Sequence, residues 1–299
     1  MIALNLVGIG TGNPDHLTRQ GIAALNAADV ILIPRKGDSK ADLAELRQSI
    51  CAAVITNPTT RIVHFDMPLR DSADADYAGA VNRWHDAIAN VWHAKIHTHL
   101  PQGGQLALLV WGDPSLYDST LRIAERLKLR TVSGMGLRVS VVPGITALQA
   151  LTAAHAIPLN DINAPVTITT GRQLRDHGWP ASAHSIAVML DGECSFRTID
   201  PAGVTIWWGA YLGMPEQVLV NGPLAKVAEK IRLQRQTARA AHGWIMDTYL
   251  LRRAVDSAGQ AQDNGHASEQ SDQSTGWFRP MASEKASVLA VSAAVNPCP

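Results

Sequence analysis

The stretch from Val7 to Thr18, which reads VGIGTGNPDHLT, constrains the fold more than any other part of this 299-residue chain. An apolar run at residues 3–6 precedes it, and a helix-like segment follows Thr18. Its three glycines at alternate positions permit backbone conformations that other residues avoid, and they let a ligand approach the main chain. Threonine is a residue type that caps helices. The stretch therefore predicts a strand, a glycine-rich turn and a helix.

A dinucleotide site is the first hypothesis that this glycine pattern suggests, and the sequence argues against it. Such a turn needs G-x-G-x-x-G, followed about 20 residues later by an acidic residue. Here the third glycine, Gly12, comes one residue early, and the second apolar strand runs into Pro34-Arg35-Lys36 instead of an acid. A tight turn that binds no ligand stays open as an alternative on this pattern alone.

The alternation of apolar runs with helix-like segments predicts the fold class. Apolar runs at residues 2–7, 30–33 and 105–111 are separated by helical patterns, which indicates βαβ units and a mostly parallel sheet. From about residue 165 onward, strand-like segments follow one another at short spacing, which favours a mixed sheet. The sequence therefore predicts an α/β protein with two sheets of different character.

These patterns divide the chain into three predicted parts. Residues 1–138 form an N-terminal α/β domain, and residues 139–253 form a C-terminal α/β domain. Residues 254–299 contain almost no large apolar side chain in their first half, so burial cannot offset the ordering cost of the chain. We predict that this tail is disordered.

Composition excludes several classes of function. Lys and Arg balance Asp and Glu at 26 each, so the net charge gives no case for a nucleic-acid partner. No apolar run approaches the roughly 20 residues that a membrane span needs, and Cys51, Cys194 and Cys298 are too scattered for a disulfide framework. We expect a cytoplasmic protein with no membrane partner. His93 and His97 share a helix face, but no acid or cysteine joins them, so we expect no metal.

Two further turns punctuate the ends of buried strands. Trp111-Gly112-Asp113-Pro114 follows one apolar strand, and Pro143-Gly144 follows another. Since the carboxyl ends of parallel strands lie at one edge of a sheet, these turns and the turn after Val7 should meet at one crevice. Open α/β sheets bind their ligands at such a crevice.

The three turns together resemble a known family, the tetrapyrrole (precorrin) methyltransferases. That family has a VGxGPGDPxxLT opening, a GDP turn on a later strand and a VPGISS-like segment at the domain junction. This chain has VGIGTGNPDHLT, WGDPSLY and VVPGITAL in the same order, and the resemblance covers about residues 1–253. It implies a two-domain fold with the active site in the cleft between the domains. It also implies S-adenosyl-L-methionine as the co-substrate.

The resemblance implies a set of cofactor-binding positions, held largely through main-chain groups. Thr11 occupies a position where the family has proline, so its contact departs from the family pattern. Transferred position by position, the implied cofactor residues are Thr11, Trp111, Gly112, Asp113, Leu116, Thr146, Ala147, Met189, Leu212 and Gly213.

Within the family, this chain is similar to the branch that acts on precorrin-5. Thr11 and Asn13 in the opening turn are typical of that branch, and so are VILIPRKGDSKADLAELR and HGWIMDTYLLRR. The implied reaction methylates carbon 1 of the contracted macrocycle, releases acetate and gives precorrin-6A on the aerobic route to cobalamin (vitamin B12). Another precorrin methylase of different regiochemistry, or a non-catalytic tetrapyrrole- or nucleotide-binding module, stays open. Relatives also suggest a homodimer.

Residues for the chemistry itself are less specified. Loss of acetate needs a water molecule and a group that takes its proton, for which Asp113, Asp247 and Tyr249 are candidates. Arg35 and Lys36 follow the second strand and are candidates to bind the carboxylates of the substrate. Solvated loop charges are the alternative interpretation of these two side chains.

Overall fold

A computed structural model describes residues 1–35, 41–70, 76–130 and 136–254 of the chain. Lys36 and the predicted tail from residue 255 onward lie outside the described residues. Residues 1–254 form one compact unit. Its strands are β1 (Ile2–Gly8), β2 (Val30–Arg35), β3 (Arg61–Asp66), β4 (Gly104–Val110), β5 (Leu137–Val142), β6 (Val166–Thr170), β7 (Ser185–Met189), β8 (Val204–Ala210), β9 (Val218–Pro223) and β10 (Asp247–Arg253). Its helices are α1 (Arg19–Asn26), α2 (Ala41–Val54), α3 (Tyr77–His99), α4 (Thr120–Lys128), α5 (Ala147–His155), α6 (Gly171–His177) and α7 (Leu224–His242).

The first sheet is fully parallel, with strand order β3-β2-β4-β1-β5. Successive side chains of a strand point to opposite faces, so each buried strand contributes to two cores. Leu4 and Leu6 pack with α3 and α4 on one face, whereas Ile31 and Ile33 pack with α1 and α2 on the other. The fully apolar run at residues 30–33 is therefore explained by helices on both faces.

The second sheet is mixed, with strand order β6-β7-β10-β8-β9. Only β6 and β7 are parallel, and the other three pairs are antiparallel. Side chains on one face pack around Trp208 of β8 and Ile231 of α7, and those on the other face pack around Leu148 and Leu151 of α5. The predicted combination of one parallel and one mixed sheet is confirmed.

The junction between the sheets comes a few residues later than the sequence suggests. The predicted boundary between residues 138 and 139 falls inside β5, and this strand pairs with β1 over Leu137–Val142. The change of sheet therefore follows Val142, where the Pro143-Gly144 turn leads into α5.

The sequence from about Leu116 to Lys128 predicts a helix, but α4 begins four residues later, at Thr120. The side chain of Asp113 accepts from the Ser115 N–H at 2.8 Å, and that of Asp118 accepts from the Thr120 N–H at 2.6 Å. Two such side-chain turns compete with helix formation, because they satisfy the backbone donors locally. Leu116 consequently lies in a turn and not on a helix.

In the described part of the chain, no helix is both long enough and apolar enough to cross a membrane.

Candidate active site

The three turns identified in the sequence meet at the carboxyl ends of the adjacent strands β4, β1 and β5. Gly10 and Gly112 form an antiparallel bridge, in which the Gly112 N–H donates to the Gly10 carbonyl at 2.7 Å. The Gly144 N–H donates to the Asp113 carboxylate at 2.9 Å. The prediction that these turns share one crevice is confirmed.

Glycine is required where the turns touch. A Cβ added at Gly8 would lie 2.6 Å from the Gly144 nitrogen and 2.7 Å from the Gly112 carbonyl oxygen. A Cβ at Gly144 would overlap the same carbonyl oxygen. The glycines of the opening stretch therefore serve close packing of three backbones, a role that needs no bound phosphate.

Asp113 fastens two of these turns together. One carboxylate oxygen accepts from the backbone and hydroxyl of Ser115, and the other accepts from the Gly144 N–H. Partial burial opposes ionisation of this carboxyl, but the hydrogen bonds from Ser115 and Gly144 outweigh it and hold its pKa below the ordinary value. Asp113 is thus an ionised clamp in which both carboxylate oxygens accept hydrogen bonds.

The opening turn is also tied to the second sheet. The Thr11 hydroxyl donates to the Leu212 carbonyl at 2.6 Å, in the loop that follows β8, and lies 3.2 Å from His16 Nδ1. Gly213 packs against the His16 ring, and Gly12 packs against Met214. Threonine at position 11 therefore supplies a hydrogen bond that proline could not donate.

A cavity of about 880 Å³ opens where these loops converge. Both sheets contribute to its lining, and α7 contributes Arg235 and Arg239. Nine of the ten predicted cofactor residues line it, namely Thr11, Trp111, Gly112, Asp113, Leu116, Thr146, Ala147, Met189 and Leu212. Gly213 does not line it and packs against the His16 ring instead. Contact of these residues with a cofactor stays a prediction.

Several lining residues have an unusual backbone. Tyr117, Leu190 and Tyr211 have φ near 50°, in the left-handed region that non-glycine residues rarely adopt. All three border the cavity, and Leu190 is 67% exposed despite its apolar side chain. Left-handed residues of this kind cluster at ligand sites, where the surrounding fold holds them. Sequence reasoning missed them, since no residue type marks a left-handed leucine or tyrosine.

A buried polar network forms one wall of the cavity. Asp247 accepts from Arg235 Nε at 2.9 Å and from Trp208 Nε1 at 3.0 Å, and Tyr249 donates its hydroxyl to Asp191 at 2.7 Å. Burial raises the pKa of the Asp247 carboxyl against the attraction of Arg235. Burial also raises the pKa of the Tyr249 hydroxyl well above its ordinary value, with the Asp191 charge adding to the effect.

The structure separates the predicted catalytic and substrate residues. Asp113 and Asp247 line the cavity, whereas Tyr249 lies beneath it and is 1% exposed. Arg35 ends β2 opposite Asp66 and does not line the cavity; Lys36 lies outside the described residues. Their role in binding substrate stays a prediction. Within the described ranges, no three His, Cys, Asp or Glu side chains are grouped to hold a metal ion.

Comparison with known proteins places this geometry in a family. The model of the tetrapyrrole (corrin/porphyrin) methylases matches residues 3–228. The chain is 47% identical over 251 residues to a precorrin-6A synthase [deacetylating] from a Sinorhizobium species, covering 84% of this chain and 95% of that protein.

Solved structures agree in fold. A protein described as cobalamin synthesis related (CobF), from Corynebacterium diphtheriae, superposes with a TM-score of 0.71 at 40% identity, covering 85% of this chain and 99% of that one. The uroporphyrin-III C-methyltransferase of Thermus thermophilus, complexed with S-adenosylhomocysteine, superposes with a TM-score of 0.50 at 20% identity, covering 84% and 92%. With a family model that matches most of its length, and with its three turns meeting at one cleft, the chain belongs to the tetrapyrrole (corrin/porphyrin) methylases.

Proposed function

We propose that this chain is an S-adenosyl-L-methionine-dependent C-methyltransferase of cobalamin biosynthesis. It methylates carbon 1 of precorrin-5, releases acetate and gives precorrin-6A. The observation that carries this proposal is the 47% identity to a deacetylating precorrin-6A synthase across 95% of that protein's length. The similarity is not confined to the cofactor turns, because it extends over 251 residues.

The cavity suits the proposed co-substrate in size and in the character of its lining. Its volume of about 880 Å³ falls within the range of small-molecule sites. Its lining combines small residues, such as Gly112 and Ala147, with larger apolar residues, such as Leu116 and Met189. S-adenosylmethionine supplies a methyl group that is already activated for transfer. The task of these residues is to bind, to orient and to exclude water.

Release of acetate asks more of the protein. A water oxygen adds to the carbonyl carbon of the departing acetyl group, and the bond from that carbon to carbon 1 breaks. The electron pair left on carbon 1 forms the bond to the incoming methyl group, and two protons are released as acetate departs. A base that faces the cavity must accept a proton from the water.

Asp247 fits this role better than the other two candidates. Asp113 is held in its ionised form by hydrogen bonds to Ser115 and Gly144, which makes it a weak base. Tyr249 is buried, and its hydroxyl donates to Asp191. Asp247 lines the cavity, and burial raises its pKa although Arg235 and Trp208 donate to it, which makes its carboxylate more basic than that of Asp113.

The reaction itself tests the proposal. Incubation with precorrin-5 and S-adenosylmethionine labelled in its methyl group should give one labelled methyl group on the macrocycle for each acetate released. Methyl transfer without acetate would assign the chain to a precorrin methylase of different regiochemistry. Binding of the cofactor without any transfer would favour the non-catalytic module.

A further inference from the structure

A second, smaller groove lies beside the cavity and shares part of its lining. Its volume is about 500 Å³, and it lies between α7 and the loop that follows β7. Gly192, Arg235, Arg239 and Gly243 line both spaces, so the groove and the cavity adjoin along these four residues. None of the ten predicted cofactor residues lines the groove.

The groove is lined by the most cationic element of the chain. Helix α7 carries five Lys or Arg residues and one acid, Glu229, in a protein whose formal net charge is zero. Arg232, Arg235 and Arg239 are spaced by three and four residues, which places them on one face of the helix. All three line the groove, whereas Lys226 does not.

The three arginines differ in the hydrogen-bond and ion-pair partners that they already have. Arg232 pairs with Glu229 at 2.6 Å, and Arg235 pairs with Asp247 at 2.9 Å while also donating to the Asp191 carbonyl. Arg239 makes no hydrogen bond or ion pair with any residue in the described ranges. Its guanidinium has five N–H donors in a planar fork that matches a carboxylate.

We propose that this groove binds the carboxylate side chains of the tetrapyrrole substrate, with Arg239 as the principal donor. The inference rests on the proposed function and deepens it. A tetrapyrrole of this pathway carries acetate and propionate groups around its rim, and a macrocycle in the cavity presents that rim to the groove. Arg239 forms a bidentate pair with one carboxylate, and Arg235 supplies a fixed positive field because Asp247 and Asp191 hold it in place.

The location matters because it assigns carboxylate binding to the second sheet. The sequence pointed to Arg35 and Lys36, but Arg35 lies outside the cavity lining. Arg239 borders both the groove and the cavity, so it adjoins the space in which the macrocycle is proposed to bind.

The test compares Arg239→Gln with Lys230→Gln, which removes an equal charge from the same helix outside the groove. With enzymatically supplied precorrin-5, Arg239→Gln should raise KM about 10- to 100-fold, as expected for loss of one charge-assisted pair. Its kcat should change by less than about threefold, because Asp247, the proposed base, pairs with Arg235 and not with Arg239. Lys230→Gln should leave KM within about twofold of wild type, and Arg239→Lys should fall between the two variants.

A second measurement separates the substrate from the cofactor, since S-adenosylmethionine also carries a carboxylate. Affinity for S-adenosylhomocysteine should be the same in wild type and Arg239→Gln, and this also shows that the variant is folded. Weakened S-adenosylhomocysteine binding would overturn the inference, because Arg239 would then hold the cofactor. An unchanged KM in Arg239→Gln, with wild type active, would overturn it while leaving the proposed function intact. Inactive wild type would instead refute the proposed function.

Discussion

Replacing Asp113 with alanine should loosen the turns around the cavity and weaken cofactor binding together. The substitution removes the acceptor for the Gly144 N–H, a part-buried donor, and the acceptor for two donors of Ser115 near the surface. A buried donor left without a partner costs about 1–3 kcal/mol, whereas the Ser115 groups can turn to water at little cost. We therefore expect the free energy of unfolding to fall by about 2 kcal/mol.

That loss corresponds to a decrease in Tm of about 4–8 °C for a folded unit of this size. The Gly144 contact also fixes the segment that leads to Thr146 and Ala147, which line the cavity. We expect the Kd for S-adenosylhomocysteine, measured by calorimetric titration, to rise about tenfold, or about 1.4 kcal/mol.

Asp200→Ala is the matched control. Asp200 makes the same local turn through the Ala202 N–H at 3.0 Å, but it lies on an exposed loop and lines no cavity. Its replacement should change Tm by less than about 2 °C and leave cofactor binding unaltered. If Asp113→Ala matched this control in both measurements, the clamp would not exist as described.

The pH dependence gives an independent check on the same residue. The folded-state pKa of Asp113 lies below the ordinary value of the unfolded chain, so its contribution is full above about pH 4. That contribution is lost as pH falls through the folded-state pKa. The stability difference between wild type and Asp113→Ala should therefore be constant from pH 7 to pH 5 and shrink below about pH 4. A constant difference down to pH 2 would show that the carboxylate charge plays no part.

Three other substitutions test separate parts of the structure. Gly144→Ala forces a Cβ against the Gly112 carbonyl oxygen and should lower the free energy of unfolding in urea by about 1–3 kcal/mol. In the control Gly136→Ala, the added Cβ meets nothing within 4 Å, so the free energy of unfolding should fall by less than about 1 kcal/mol. Equal losses in the two variants would refute the close packing. Asp247→Asn leaves the buried Arg235 without its anion and should lower the free energy of unfolding by about 3–5 kcal/mol. Acetate release should slow in parallel. A loss of less than about 1 kcal/mol would contradict the pairing. His85 is buried, neither of its ring nitrogens is hydrogen-bonded among the described residues, and burial together with nearby arginines lowers its pKa. The free energy of unfolding should therefore fall as pH drops below about 6.5. His85→Leu should remove this part of the decline without loss of stability at pH 8, and an unchanged decline would refute the reasoning.

The turns around the site could be predicted because their causes are local. Glycine and proline restrict or release the backbone at their own positions, so Gly8, Gly112 and Pro143-Gly144 announce sharp turns without knowledge of the fold. Parallel strand order then brings their carboxyl ends to one edge. The resemblance to a family supplied the ten predicted cofactor positions, and nine of them line the cavity.

The parts that could not be predicted depend on contacts between distant segments. Glycine is a residue type that is typical of the turns in binding loops. The contact of Gly213 with His16, however, follows from how the second sheet packs against the turn after β1. The alternation of residues along β10 allows Tyr249 to face either side of the sheet. Only the hydrogen bond to Asp191 shows that its hydroxyl is buried. The direction in which the arginines of α7 point depends likewise on the strand order of the second sheet.

Tryptophans 207 and 208 show the same limit. Adjacent residues of a strand point to opposite faces of the sheet, so the sequence does not say which of the two side chains is buried. Trp208 is buried and donates to Asp247. Trp207 lies under Arg252, with 5.3 Å between the guanidinium carbon and the ring centroid, and does not line the cavity.

Calorimetric titration with S-adenosylhomocysteine, in wild type and in a variant with a filled cavity, tests the central claim most directly. Ala147 lines the cavity at the first turn of α5, and Ala153 lies exposed on the same helix away from it. We predict micromolar binding at one site per chain for wild type and for Ala153→Trp, and no detectable binding for Ala147→Trp. Equal binding by all three proteins, or none by wild type, would contradict the claim that the meeting of the three turns forms the cofactor site.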